Sequence, residues 1–206
     1  MQQVYWGVIG AGGVASRRTL PEAVYGASSA RFVAVMDAHE QTARETAGRF
    51  GIANVHPTVD ALLADPGVDA VYIATPTAAH LPQVLAAAAA RKHVLVERPI
   101  ALTSAEAKQA IEACHQSGVL LGCTCRTRFH SLHLAARQML ERGELGQVIA
   151  GRAQVSFWYP PDPGAWRQRQ RSAGGGSLIH LGSDCIDLLE FITAKEHPAL
   201  TMDPMF

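Results

Sequence analysis

Residues 5–15 read YWGVIGAGGVA, and the fold turns on how this stretch is read. Tyr5–Gly10 is a short apolar run that stops on glycine, the signature of a buried parallel strand. A short helix is expected over Gly12–Ala23, with Pro21 ending or kinking it near Thr19 or Leu20. Between strand and helix lies Gly10-Ala11-Gly12-Gly13-Val14-Ala15. This is a G-x-G-x-x-A pattern in the context where such a loop cradles a dinucleotide. Gly10 permits the tight turn, Gly12 lets the backbone approach a pyrophosphate, and small Ala15 lets the helix pack close to the strand. The helix start at Gly13 and Val14 supplies N–H donors to phosphate. The competing reading is a purely structural glycine turn.

A second apolar run, Arg31–Asp37, ends on an acid 24 positions beyond Gly13, close to the ~20 at which an acidic residue meets the adenosine ribose. A carboxylate there accepts from the ribose diol and repels a 2′-phosphate. Ala38 and His39 offer no arginine for that phosphate, so NAD is favoured over NADP. The plainer reading of Asp37 is a solvated acid closing a strand.

Strands and helices continue to alternate. A polar helix is expected from about Glu40 to Phe50 with Gly51 as its cap. A brief strand at Asn54–His56 and a short helix at Thr58–Ala64 follow. Strand Ala70–Thr75 is stopped by Pro76, and helix Leu81–Arg91 precedes strand His93–Glu97. Thr103 and Glu106 have capping-box spacing for a helix to Ser117, with Gly118 beyond, and Leu120–Cys125 is the last strand. Repeated β-α units of this size make an α/β fold with a doubly wound parallel sheet. After about Phe129 the rhythm changes. A helix over Leu132–Arg142 ends at Gly143, and Val148–Phe157 reads as a longer strand. Tyr159–Ser172 reads as a loop, Ser177–Thr193 as a helix after three glycines, and Lys195–Phe206 has no periodicity.

Composition narrows the function classes. Eighteen basic and 18 acidic residues in a chain of 206 leave a formal net charge of +0, which excludes a broad electrostatic footprint for nucleic acid or anionic lipid. With 48% hydrophobic residues the chain can build a core. The longest apolar run, Val84–Ala90, is far short of the roughly 20 residues that span a bilayer. No basic leader precedes the first strand. Cys114, Cys123, Cys125 and Cys185 show no zinc-knuckle spacing, and no metal is expected. These features point to a cytoplasmic protein with a small-molecule substrate.

Beyond the glycine loop come Ala74-Thr75-Pro76-Thr77 with His80 after the fourth strand, and Glu97-Arg98-Pro99 after the fifth. Arg128-Phe129 follows the sixth, and Gly174-Gly175-Gly176 leads into the last helix. In this order the chain resembles the Gfo/Idh/MocA family of NAD(P)-dependent oxidoreductases, which act mainly on sugars, polyols and related compounds. The resemblance covers about residues 3 to 193. It implies a Rossmann-type NAD(P)-binding domain over 1–125, followed by an incomplete α+β second domain for substrate and oligomerisation over 126–206. It also implies cofactor binding by Gly10, Gly12, Gly13, Val14, Ala15, Asp37, Thr75, Pro76, His80 and Glu97.

Two motifs depart from the family pattern. The family's Glu-Lys-Pro lysine, close to nicotinamide and substrate, is Arg98 here. Arginine stays protonated, so it orients an anion or polarises a carbonyl but does not shuttle a proton. Lys92, Lys108 and Lys195 are all placed away from that position. The family's Asp-x-x-x-His helix reads His180-Leu181-Gly182-Ser183-Asp184, with the two types interchanged. His180 and Asp184, four apart, share a helix face, and His180 has a suitable unperturbed pKa for the hydroxyl proton. The alternative is an exposed pair that merely steadies the helix. Trp158, Tyr159 and Trp166 with Arg167 and Arg169 are candidates to line a sugar pocket. Cys123 and Cys125 read as core, and His130 and His133 lack a third metal ligand.

The family's second domain is a larger open sheet, so the chain reads as a shortened relative or as a fragment. Apolar faces on Val148–Phe157 and the last helix are expected to be buried in a homo-oligomer. The sequence therefore supports an NAD-dependent dehydrogenase acting on a hydroxyl/carbonyl carbon of a sugar- or polyol-like substrate. The rivals are a catalytically inactive dinucleotide-binding module and a nucleotide-independent structural relative.

Overall fold

A computed structural model of the chain describes residues 3–193. Lys195 and the aperiodic stretch 195–206 lie outside the described residues. The chain divides into two compact units. One runs to Thr124 with Arg171–Gly174, and the other holds Cys125–Gln170 and residues 175–193.

The first unit is a six-stranded, wholly parallel sheet. Its strands are β1 (Val4–Ile9), β2 (Ala30–Met36), β3 (Asn54–Val55), β4 (Ala70–Ile73), β5 (His93–Val96) and β6 (Leu121–Cys123). They lie in the order β3-β2-β1-β4-β5-β6. Helices α1 (Leu20–Gly26), α2 (Glu40–Phe50), α3 (Val59–Leu63), α4 (His80–Ala89) and α5 (Ser104–Gln116) make the crossovers. Both sheet faces are covered, which is why the strands read as continuous apolar runs. Alternate residues serve the two sides. Ile9, Val71, Ile73 and Val96 join one buried cluster with Val84, Ala88 and Ala110, while Val8, Val35 and Tyr72 join another with Ala15, Leu20 and Ala47.

Local chemistry sets the boundaries. Gly51 and Gly118 adopt left-handed conformations just past α2 and α5, as helix-ending glycines do. Thr103 caps α5 by accepting from the Glu106 amide at 3.2 Å, and the Glu106 carboxylate reaches back to the Leu102 amide at 2.9 Å. The first helix differs from expectation. It continues through Pro21 to Gly26, because a π turn over Ala15–Thr19 precedes the proline. The Leu20 amide reaches back to Ala15 O, and the wider turn accommodates a proline without an N–H.

The second unit packs α6 (Ser131–Glu141) on α8 (Ser183–Thr193). Arg128 makes a bidentate ion pair with Asp187, and Arg137 lies over the Phe191 ring at 4.6 Å. The strand expected over Val148–Phe157 is not formed, and this stretch has no regular structure. A strand exists only with a neighbour to complete its ladder, and the described residues of this unit supply none. Ile149 and Phe157 are accordingly 87% and 58% exposed. The expected loop over Tyr159–Ser172 contains a 3-10 turn, Trp166–Gln168, and a short helix, α7 (Gln170–Ala173). The last helix is interrupted by a π turn over Leu178–Gly182.

Candidate functional site

Five strands stop on one rung. Ile9 pairs with Met36 and with Ile73, Ile73 with Val96, and Val96 with Cys123. The next residues extend the row: the amides of Gly10, Ala74, Glu97 and Thr124 donate to Met36 O, Ile9 O, Ile73 O and Val96 O. Gly10, Asp37, Ala74, Glu97 and Thr124 therefore line the carboxyl edge of the sheet. Strand order reverses between β1 and β4, and a parallel sheet binds ligands in the crevice outside that switch point.

Gly10 stands there with φ 91°, and a Cβ would lie 2.8 Å from the Ala74 carbonyl carbon and 2.9 Å from Thr75 N. The two strand ends approach too closely for any side chain. Gly12 and Gly13 differ. A Cβ on Gly12 would meet nothing closer than Thr42 Cγ2 at 3.5 Å, and Gly13, at φ 50°, has nothing within 4 Å. Internal packing does not demand a bare backbone at Gly12, so glycine keeps the space in front of the turn clear. Amides in the first turn of a helix have no intrahelical acceptor, and those from Gly13 through Ala15 face this need. Val14 is half-buried and Ala15 fully buried. The cradle fits a pyrophosphate.

Asp37 has a role beyond the one expected. Its Oδ2 accepts from the amides of Ala11 at 2.8 Å and Gly12 at 3.2 Å, and its Oδ1 accepts from the His39 amide at 2.9 Å. The carboxylate braces the turn. Thr46 adds a buried bond to Ala11 O at 3.2 Å.

Thr75 and Pro76 follow β4 at the switch point. The Thr75 hydroxyl donates to Gln83 Oε1 at 2.6 Å. His80, expected against a cofactor, is only 1% exposed. Its Nδ1 lies 2.9 Å from Pro99 O and its Nε2 2.9 Å from Thr75 O. Both ring nitrogens face backbone carbonyls inside the fold, the neutral ring donates to one of them, and His80 sits between two loops instead of presenting its ring at the surface. Burial is the largest influence on it and pushes its pKa below the ordinary histidine value, while the two carbonyls and Glu97 oppose that shift.

Glu97 accepts from the Tyr72 hydroxyl at 2.6 Å, and Tyr72 in turn lies 2.8 Å from Thr19 Oγ1. Arg98 is half-buried, its amide 3.3 Å from Thr124 Oγ1, and its bond to Pro99 is cis. Tyr72, Thr19, Thr124 and Gln83 were not singled out by sequence. One signal was available: a tyrosine within AVYI must bring its hydroxyl to a partner when buried.

In the second unit His180 lies inside the π turn and Asp184 opens α8. The shared-face reading assumed uniform α-helical winding, and that premise does not hold. Arg167 Nε donates to His180 Nε2 at 3.3 Å, a contact made by the neutral ring. Arg167 also lies over the Trp166 ring at 4.4 Å, and Arg169 donates to Pro163 O at 3.2 Å. Asp187 is the partner of Arg128, whose pKa is raised chiefly by that hydrogen bond. His133 Nδ1 is 2.7 Å from Thr127 O. Among the described residues, no group of three or more His, Cys, Asp or Glu side chains is placed to hold a metal ion, and no helix is long and apolar enough to cross a membrane.

A glycine cradle at the switch point of such a sheet defines a dinucleotide-binding domain of the Rossmann class. Residues 4–124 match the model of the oxidoreductase family with an NAD-binding Rossmann fold, and residues 133–203 match the GFO/IDH/MocA C-terminal domain. The chain belongs to the Gfo/Idh/MocA oxidoreductase family. It is 33% identical over 187 residues to a 1,5-anhydro-D-fructose reductase of Ensifer adhaerens, a match covering 91% of this chain and 56% of that protein. Among solved structures it resembles GenD2 from gentamicin A biosynthesis in complex with NAD (TM-score 0.79, 27% identity, 93% of this chain and 54% of that one). It also resembles a variant of KijD10, a 3-ketoreductase from Actinomadura kijaniata in complex with TDP-benzene and NADP (TM-score 0.73, 30% identity, 86% and 54%). The chain spans about half the length of the relatives it matches.

Proposed function

We propose that the chain supplies the coenzyme-binding part of an NAD-dependent oxidoreductase acting on a hydroxyl or carbonyl carbon of a sugar- or polyol-like compound. One observation carries this reading: the cradle Gly10–Ala15 stands at the switch point with its front left open at Gly12, beside Asp37 and Thr75 on the same sheet edge. Gly12 and the first-turn amides from Gly13 to Ala15 hold the pyrophosphate. Asp37 favours NAD, since its fixed carboxylate accepts from a ribose diol and repels a 2′-phosphate. Bound there, a nicotinamide supplies hydride transfer to or from carbon. Arg98 orients the substrate oxygen, and His180 with Asp184 handles its proton. Thr75, Pro76 and Glu97 shape the nicotinamide side, and His80 contributes through the loops it joins. The 1,5-anhydro-D-fructose reductase relative supports the substrate class.

A cytoplasmic homo-oligomer belongs to the same proposal, supported by the exposed Ile149, Phe157 and Trp158, which favour burial. Arg98 favours a second reading, an inactive dinucleotide-binding module, because guanidinium does not release its proton. NADH fluorescence titration followed by a sugar and polyol panel separates the two. Saturable binding with turnover supports the oxidoreductase, binding without turnover supports the module, and no binding sinks both.

A further inference from the structure

Arg98 emerges from the sheet between two pinned neighbours. Glu97 before it accepts from Tyr72 at 2.6 Å, and the Pro99 carbonyl after it meets His80 Nδ1 at 2.9 Å. Tyr72 and His80 are each 1% exposed, so neither ring lies where a bound molecule would touch it. A phenol carries a single proton. Directed at the Glu97 carboxylate, that proton leaves the phenol oxygen to accept from Thr19, 2.8 Å away. The chain of bonds has a direction: Thr19 donates to Tyr72, and Tyr72 donates to Glu97. Thr19 closes the π turn that begins at Ala15, inside the helix opened by the glycine cradle. One end of this chain therefore lies on the helix whose first amides face a pyrophosphate, and the other on the residue next to Arg98. Packing alone does not ask for the hydroxyl, since Phe would fill the same volume on β4. Burying a hydroxyl costs free energy unless it is bonded, and here its bonds to Thr19 and Glu97 join elements that sequence separates widely.

We propose that Tyr72 is a positioning residue: through Thr19 on one side and Glu97 on the other, it couples occupancy of the glycine cradle to the placement of Arg98. This rests on the coenzyme reading above. Nothing passes through Tyr72 chemically. Its hydroxyl keeps the Glu97 side chain, and with it the turn to Arg98, in register with the cradle helix.

The test is hydrogen exchange on the full chain with and without saturating NADH, followed in segments 10–20 and 97–103. In the unaltered protein NADH is expected to slow both segments, by about tenfold. Tyr72→Phe should keep the slowing at 10–20 and lose it at 97–103. A purely structural tyrosine would loosen 97–103 equally with and without NADH. If Tyr72→Phe retains the NADH-dependent slowing at 97–103, the proposal is overturned. If that variant does not fold, Thr19→Val breaks the same chain at its outer end, and retained slowing there overturns it equally. NADH protection at 10–20 but not at 97–103 in the unaltered protein defeats this proposal alone. Protection at neither defeats the coenzyme reading, and this proposal with it.

Discussion

Asp37 Oδ2 lies 2.8 Å from the amide nitrogen of Ala11, so the acid at the end of β2 holds the glycine turn in shape. Its two expected effects can be separated by substitution. Asp37→Ala should lower stability by about 1–2 kcal/mol, the worth of charge-assisted bonds to a half-buried carboxylate. It should also weaken NADH and strengthen NADPH. Asp37→Asn, which still accepts, should recover most of the stability but not the preference. Thermal melts and paired titrations with the two coenzymes read these outcomes. An unchanged NADH/NADPH ratio in both variants would remove Asp37 from coenzyme selection.

Gly10 and Gly12 should respond oppositely to the same methyl group. Gly10→Ala drives a Cβ against the Ala74 backbone at 2.8 Å in a left-handed conformation, at a cost of about 2 kcal/mol or more. Gly12→Ala meets only ordinary contacts, so its melting temperature should hold while NADH affinity falls at least tenfold. Loss of stability without loss of NADH affinity at Gly12 would refute the open cradle.

His80 gives stability a pH dependence with a definite sign. Its folded pKa lies below the ordinary 6.5, chiefly through burial, with the Thr75 and Pro99 carbonyls and then Glu97 opposing. The unfolded chain therefore binds the proton more readily. The stability held by the neutral ring is complete above about pH 6.5 and is lost as pH falls from there through the lower folded value. Denaturant midpoints between pH 7.5 and 5 should decline, and His80→Gln should flatten that part of the decline. Equal slopes in the two proteins would assign the effect to other groups.

Arg98→Lys restores an amine that can exchange a proton. NADH affinity should stay within about twofold, because the turn is held by Thr124 at the Arg98 amide, by Tyr72 at the Glu97 carboxylate and by His80 at the Pro99 carbonyl. Turnover on sugars or polyols, read as absorbance change at the nicotinamide band, should rise if proton shuttling is what the arginine lacks. No change in turnover would point to a deficit elsewhere in the site.

Arg128→Lys tests the second unit by itself. Lysine keeps the charge but not the fork that grips Asp187, and it stacks less well on the Phe191 ring, whose centroid lies 5.7 Å from the Arg128 guanidinium. The expected loss is about 1 kcal/mol, modest because the Arg128 side chain is 43% exposed. A variant as stable as the parent in chemical denaturation would make the pair incidental.

The sheet was legible because buried parallel strands announce themselves as short Val- and Ile-rich runs, each stopped by Gly, Pro or an acid. Ala70–Ile73 and His93–Val96 came within a residue or two of their sequence-read ends. Gly10 was legible because only one residue type fits a left-handed turn against another backbone. Two kinds of feature escaped. Both π turns did, since winding changes come from packing and leave no mark on apolar periodicity: Pro21 looked like a stop, and His180 with Asp184 looked like an ordinary helical pair. The Tyr72–Glu97 and His80–Pro99 links escaped because each joins residues 19 or more positions apart, and spacing rules reach only within one element. Val148–Phe157 failed as a strand for a related reason. Alternation prepares a segment for pairing, but a neighbour has to complete it.

The common rung at which β1, β2, β4, β5 and β6 halt separates two kinds of inheritance. Everything below that level is architecture, constrained by packing on both faces. Everything above it is a set of outgrowths rooted at one height and braced against one another at a few points, as Asp37 is against the glycine turn. A lineage, or an engineer, can therefore exchange an outgrowth together with its brace and change what the molecule recognises without reopening its interior.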